Sequence, residues 1–294
     1  MTQARIGIIG GTGLGDALAG QSQGQWHTLE TPFGSPSGPI LTTTWESAPI
    51  AFLSRHGPGH LLNPSIVPYR ANIYALKSLG VTHILASGAT GSLREEIRPG
   101  HLVICDQVID KTFRRPGTFF DRDLVAHVEF AEPFCPTLRA LLESVADRVP
   151  TTVHRRGTYV CMEGPQFSTK AEARMHQAWG GDLIGMTCMP EAKLAREAEI
   201  CYALIALPTD YDCWRPHDPA KSRQALLGEI LGNLKQVTNH GIALLRAAVR
   251  RLAGELDRPC PCRQALELAI WSDKARIPPD ARQRLGLLVG KYLS

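Results

Sequence analysis

From Arg5 to Arg251, short apolar runs of strand length alternate with longer stretches of helical period. The runs are Arg5 to Ile9, Ile50 to Leu53, His83 to Ser87, Leu102 to Ile109, Gly157 to Met162, Leu183 to Met186 and Cys201 to Leu207. Between them, helices are expected over Pro68 to Gly80, Pro136 to Arg148, Thr169 to Gly180, Pro190 to Ala198 and Ala225 to Arg251. The last carries Leu226, Ile230, Leu234, Val237, Ile242 and Leu245 near helical spacing, an apolar stripe to lay against a sheet. Buried strands that alternate with helices fold as layers, with helices on both faces of a sheet. We therefore expect an α/β fold, a central mixed sheet flanked by helices, over residues 1–252. After Leu252 the chain shifts to the Pro-rich segment Asp257 to Arg263, and residues 253–294 read as a C-terminal helical extension.

At 294 residues, with 44% apolar and 20% charged content, such a fold can bury a full core. The net charge is only +4, and Lys and Arg are dispersed, which leaves no electrostatic footprint for nucleic acid. No run of about 18 uncharged apolar residues suggests a membrane span, and no export segment precedes the first strand, so a cytoplasmic location is the default expectation. Eight cysteines in a chain this long do not make a disulfide framework. Cys105, Cys135, Cys161, Cys188 and Cys201 lie in or beside apolar runs and read as packing. Cys260-Pro-Cys262 lacks a second Cys or His pair nearby in sequence, so no metal is expected, and the two are ordinary tail thiols or a disulfide.

Three loops at strand ends carry the first chemical signal. Gly10-Gly-Thr-Gly-Leu-Gly15 fails the dinucleotide fingerprint, because its third glycine comes one position early, and it lacks the Lys-Ser or Lys-Thr of a nucleoside-triphosphate loop. It reads as a structural turn or as an anion loop in which Thr12 adds a hydroxyl. In Ser54-Arg-His56, Arg55 offers a planar fork that matches phosphate and His56 offers a further donor. Ala86 to Leu93 offers small residues with open amides and hydroxyls. Ligands of open α/β sheets collect beyond the carboxyl ends of strands, so the three loops together suggest one anion site. A different signal ends the apolar run at Leu207, where Asp210 and Asp212 follow one residue apart. In an extended chain they would share a face. They are then either an exposed turn, each acid bonded to nearby backbone, or a carboxyl pair that receives a ligand.

Gly10 to Leu14, Ser54-Arg-His56, Gly91 to Gly100, Ala131 to Cys135, Glu163-Gly-Pro-Gln-Phe-Ser168, Gly185-Met-Thr187 and Thr209 to Trp214 occur in this order. Together they resemble the motifs of the 5'-methylthioadenosine phosphorylases, a branch of the trimeric purine nucleoside phosphorylase family. The resemblance runs from about Arg5 to Leu245. It implies a nucleoside phosphorylase-like fold, a homotrimer, and phosphorolysis, with nucleoside and inorganic phosphate as the small-molecule partners, phosphate as co-substrate, and no metal or organic cofactor. By the same resemblance, Thr12, Arg55, His56, Ala89 and Thr187 hold phosphate. Phe167, Ser168 and Met186 line the nucleoside pocket, and His127 is lent to a neighbouring subunit's site. The family has Thr immediately before the residue matched by Ala89, where this chain has Gly88, so that hydroxyl is either lost or supplied by Ser87 or Thr90. An ungapped match puts Arg223 where the family has a small apolar residue near the 5' substituent.

Phosphorolysis gives the acid pair a task. The purine leaves only if the charge developing on it is neutralised, most simply by a proton at N7. Asp210 is the expected acid, and Asp212 is expected to stay ionised and accept from the 6-amino group. A 6-oxo purine would present an acceptor there, which favours adenine. Three rival readings are a 6-oxopurine phosphorylase, for which an amide is expected at Asp210, a nucleosidase using water, and a nonenzymatic purine or aromatic-ligand binder.

Overall fold

A computed structural model describes residues 6–11, 24–216 and 220–293. β1 (Ile6–Gly10), β2 (Gly24–His27), β3 (Ile40–Trp45), β4 (Ala48–Ser54), β5 (His83–Ser92), β6 (Leu102–Ile104), β7 (Gln107–Lys111), β8 (Val153–His154), β9 (Thr158–Met162), β10 (Leu183–Gly185) and β11 (Cys201–Asp210) join in one mixed sheet. Around it lie the helices α1 (Tyr69–Ser78), α2 (Pro136–Ser144), α3 (Lys170–Ala178), α4 (Cys188–Glu197), α5 (Arg223–Leu252) and α6 (Pro279–Val289).

β5 is the hub. It runs parallel to β1 and to β11, and β1 runs parallel to β4. The register pairs Gly10 with Ser54, Ile9 with Ala86, and Ile205 with Ser87. The exits of β1 and β4 therefore lie level with the middle of β5, so Gly10 and Gly11, the start of the Ser54-Arg-His56 loop and the Ser87–Thr90 part of β5 are neighbours there.

Side-chain alternation divides the core between the two faces of the sheet. In β11, Tyr202, Leu204 and Ala206 join one cluster, while Cys201, Ala203, Ile205 and Leu207 join the other. α5 lays its C-terminal half on the second cluster through Val237, Leu244, Leu245, Ala248 and Leu252, at helical spacing. The first half of α5 is largely exposed. None of the helices among the described residues is long and apolar enough to cross a membrane.

The structure adds to the expected elements in three places. β2 and β3 form an antiparallel pair on the β4 edge, where the polar and threonine-rich sequence gives no buried-strand pattern. The single strand expected over 102–109 is two, because the chain leaves β11 after Ile104 and rejoins the sheet beside β9 at Gln107. The Asp106 carboxylate at the break accepts from the Gly157 N–H at 2.8 Å. The tail is not appended to the surface. Leu266, Ile277, Ala281, Leu285, Leu288 and Val289 are buried in the same cluster as Tyr69 and Leu194.

Candidate active site

β11 stays extended to Asp210, with an irregular register between Pro208 and Asp210, and then turns. Asp212 has φ +51° and opens a single helical turn, Asp212–Trp214. The two carboxyls therefore meet through a turn, and the strand alternation expected from the sequence does not bring them together. They stand over Gly91 of β5: a Cβ there would lie 3.2 Å from Asp210 Oδ1 and 3.1 Å from Asp212 Cβ. A side chain at residue 91 would push the pair back by a few tenths of an ångström, so glycine lets it sit this close to the strand.

Asp210 accepts on both oxygens, from the Asp212 N–H at 2.8 Å and from the Thr209 hydroxyl at 2.7 Å. Asp212 Oδ2 is buried without a hydrogen-bond partner. Burial, and then the neighbouring Asp210 carboxylate, push the Asp212 pKa above the ordinary Asp value. The sequence reading put the proton on Asp210. Of the two, Asp212 is the carboxyl that burial drives toward its protonated form.

The acids open onto a cleft of ≈ 360 Å³ lined by Thr209, Asp210, Tyr211, Asp212, Leu226 and Ile230 among others. That volume is within the usual size for a small-molecule site. Leu226 and Ile230 come from one face of α5, and Asn233, one turn on, donates to the Thr209 carbonyl at 2.9 Å. Sequence reading had placed Leu226 and Ile230 on an apolar stripe only, and had not singled out Asn233. Arg223 is exposed at the first position of α5 and does not line the cleft.

The other end of the β5 wall is built for an anion. Gly88 faces Thr187, whose hydroxyl would lie 3.4 Å from a Cβ at that glycine. On the opposite side, Gly11 approaches Arg55 Nη1 and the Ser87 carbonyl so closely that a Cβ would sit 3.0 and 3.1 Å away. Thr12 lies outside the described residues. Ala89 is half-buried on the same strand, and the Ser87 and Thr90 hydroxyls are both buried without partners.

Arg55 is not the open fork expected. It is fully buried, and Nε and Nη2 each donate to Glu191 at 2.8 Å while Nη1 donates to the Ser87 carbonyl at 2.8 Å. Burial alone would lower its pKa, but Glu191 outweighs that and holds the guanidinium charged well above its ordinary value. Tyr202 donates to the same Glu191 at 2.7 Å. The charge is thus largely consumed inside the protein, and of the five guanidinium N–H groups one on Nη1, beside Gly11, and one on Nη2 are left over from these bonds. His56 is likewise not a spare donor. Its Nδ1 lies 2.7 Å from the Leu62 carbonyl, which can only accept, so Nδ1 carries the hydrogen. Burial first, then Arg55, push its pKa down to about 4. The ring is neutral near pH 7, and its Nε2 is an acceptor.

The other four expected nucleoside residues meet the site differently from one another. Met186 precedes Thr187 at the end of β10, and its sulfur would lie 2.5 Å from a Cβ at Gly164, which has φ +67°. The loop bearing Phe167 and Ser168 therefore folds over Met186 only because residue 164 is glycine. Ser168 is brought to the acids, and its carbonyl accepts from the Cys213 thiol at 3.2 Å. Phe167 is 85% exposed. His127 is not brought to this cleft. It is exposed beside Trp271 of the tail, with ring centroids 4.7 Å apart.

Arg115 was not singled out from the sequence. Its Nη1 donates to the Met186 and Met189 carbonyls at 2.6 Å, and its Nε meets Glu163 at 3.3 Å. One buried guanidinium thus fixes both loops that frame the pocket.

Residues 5–250 match the phosphorylase superfamily. The chain is 49% identical to the S-methyl-5'-thioadenosine phosphorylase of Geobacter sulfurreducens, over 98% of this chain and 99% of the relative. It is 47% identical to that of Cereibacter sphaeroides, over 98% of each. Among solved structures, it is similar to a methylthioadenosine phosphorylase from an antarctic soil metagenomic library, with a TM-score of 0.89 and 43% identity over 98% of this chain and 99% of that one. A variant adenosine/methylthioadenosine phosphorylase of Schistosoma mansoni, in complex with adenine, aligns with a TM-score of 0.83 and 34% identity, over 92% of this chain and all of that one.

Proposed function

This chain belongs to the phosphorylase superfamily and, within it, to the S-methyl-5'-thioadenosine phosphorylases, and from that premise we propose how its residues divide the reaction. The activity is phosphorolysis of the N-glycosidic bond of 5'-methylthioadenosine, giving adenine and 5-methylthioribose 1-phosphate. One observation carries the division of labour: β5 presents the Thr187 and Arg55 side at Gly88 and the acid pair at Gly91. Three residues of strand span about 10 Å. That leaves room for a phosphate and a purine on opposite sides of a single anomeric carbon.

At the Gly88 end, phosphate is held by Thr187, the Ala89 backbone, the loop at Gly11 and Thr12, and the Arg55 Nη1 N–H not taken by Ser87. Neutral His56, with Nε2 as acceptor, suits the hydrogen of monohydrogen phosphate and keeps a fully charged oxygen free to attack. That oxygen bonds to the anomeric carbon as the bond from that carbon to N9 breaks. The bonding pair passes into the purine, and a proton delivered to N7 lets adenine leave neutral.

The acid pair supplies that proton. Two carboxyls this close share one proton more readily than they both ionise. Burial biases that proton toward Asp212 before binding. A 6-amino group donates to the unpartnered Asp212 Oδ2 and favours its ionised form, which leaves the shared proton with Asp210 facing N7. A 6-oxo group offers no donor and does not trigger the exchange, so adenine is selected over hypoxanthine. Leu226 and Ile230 give the cleft an apolar wall that favours a thiomethyl over a hydroxymethyl 5' group.

The site is completed in a homotrimer, with His127 of one subunit reaching its neighbour's pocket. The exposure of His127 and of Phe167 supports this reading. Phosphate acts as co-substrate, and the scheme needs no metal or organic cofactor. A nucleoside panel with phosphate present or omitted, reading out free base, tests the proposal. Methylthioadenosine should rank first and inosine last, and a reversed ranking would overturn the base assignment.

A further inference from the structure

Four cysteines from three separate parts of the chain converge at the end of β11 remote from Asp210. Cys201 is the first residue of β11, Cys135 is the N-cap of α2, and Cys260 and Cys262 flank Pro261 at a helical turn of the tail, Pro261–Gln264. All four are at most 7% exposed, and their sulfurs lie within 4.8 Å of one another. The Cys135 and Cys260 sulfurs are 3.5 Å apart. A tetrahedral zinc centre with metal–sulfur bonds of about 2.3 Å has sulfur–sulfur edges of about 3.8 Å. Disulfides need two pairs at about 2.0 Å and do not require four sulfurs around one centre.

The surroundings fit thiolate ligands. The Leu138 N–H donates to the Cys135 sulfur at 3.4 Å, and the Cys262 N–H faces the Cys260 sulfur. Such N–H donors are the usual outer shell of a thiolate centre. Pro261 stiffens the turn that presents the Cys260 and Cys262 thiols.

We propose that Cys135, Cys201, Cys260 and Cys262 form a closed tetrathiolate site for Zn²⁺, which pins the C-terminal tail to the core. All four positions are filled by sulfur, so the ion is structural and offers no open coordination position. Along β11, nine residues separate Cys201 from Asp210, about 30 Å of strand, so the metal takes no part in phosphorolysis.

The test uses the full chain, purified with reductant and supplemented with zinc, then desalted. Elemental analysis should find about one zinc per chain. Exchange with Co²⁺ should give the intense visible bands and sulfur-to-cobalt charge transfer of a tetrahedral thiolate site. In Cys260→Ser/Cys262→Ser the zinc should be lost and the Tm should fall by on the order of 10 °C, while kcat/KM for methylthioadenosine stays within about twofold of wild type. If that variant does not fold, the cobalt spectrum of the unaltered chain decides. Zinc-supplemented protein that stays metal-free with all eight thiols titrating on denaturation, or zinc retained in the double variant, would each overturn the proposal.

Discussion

Glu191→Gln is the most revealing single change, because it keeps the shape of the residue that neutralises Arg55 and removes only its charge. Glu191 is 1% exposed and takes two charge-assisted hydrogen bonds at 2.8 Å from Arg55, with a third from Tyr202. Glutamine can accept from one Arg55 N–H, but its amide hydrogens then meet the other. Breaking a buried pair from one side costs about 3 to 5 kcal/mol. At about 2 to 4 °C per kcal/mol for a chain somewhat shorter than this one, the Tm should fall by roughly 6 to 20 °C.

The local charge changes from zero to +1 beside the Gly11 loop, where phosphate is placed. Phosphate should therefore raise the Tm of Glu191→Gln by more than it raises that of the wild type, because binding is linked to folding. Thermal melts across a phosphate titration, at constant ionic strength with sulfate-free salt, read this directly. Equal increments in the two proteins would refute the placement of Arg55 at the phosphate, even if the overall loss of stability were as expected.

Asp210→Asn should lower kcat/KM for 6-amino nucleosides by a factor on the order of 10² to 10⁴, the contribution of a positioned acid, and should affect inosine less. Equal losses on both substrates would remove Asp210 from base recognition. Asp212→Ala should lower the preference for adenosine over inosine without abolishing turnover, as read from the ratio of the two kcat/KM values. His56, held at about 4 in the folded protein against 6.5 for the free side chain, binds its proton more readily when unfolded. Its contribution to stability is therefore complete above pH 6.5 and is lost as the pH falls toward 4. Glu197, raised by burial to about 7, acts in the opposite direction over part of the same range. The informative quantity is thus the difference between wild type and His56→Gln in denaturant melts from pH 7.5 to 4, which should shrink as the solution is acidified.

Much of the fold was legible because its signals are local. The β11 run from Cys201 declares a strand by its unbroken apolar character, and the spacing in α5 declares the face it buries. That the ends of β1 and β4 would lie beside β5 was expected from a general property of α/β sheets, and the register aligns Gly10 with Ser54 and Ile9 with Ala86. What escaped was long-range pairing. Glu191 lies 136 residues from Arg55, and nothing near either residue marks the other as its partner. The same holds for Arg115 with the carbonyls of Met186 and Met189. Cys135, Cys201 and the Cys260-Pro-Cys262 pair read separately as packing and ordinary thiols, and only the fold shows that they face one another. The acid pair was found for an incomplete reason, since a positive φ at Asp212 and a glycine beneath it do what strand alternation was expected to do.

The central claim, that phosphate itself is the nucleophile at the anomeric carbon, is tested most directly by supplying methylthioadenosine with phosphate labelled with ¹⁸O at all four oxygens. Mass spectrometry of the products should show one 5-methylthioribose 1-phosphate for each adenine released, with all four labelled oxygens retained and one of them bridging to the sugar. Adenine released at an undiminished rate without phosphate, accompanied by free methylthioribose, would contradict it.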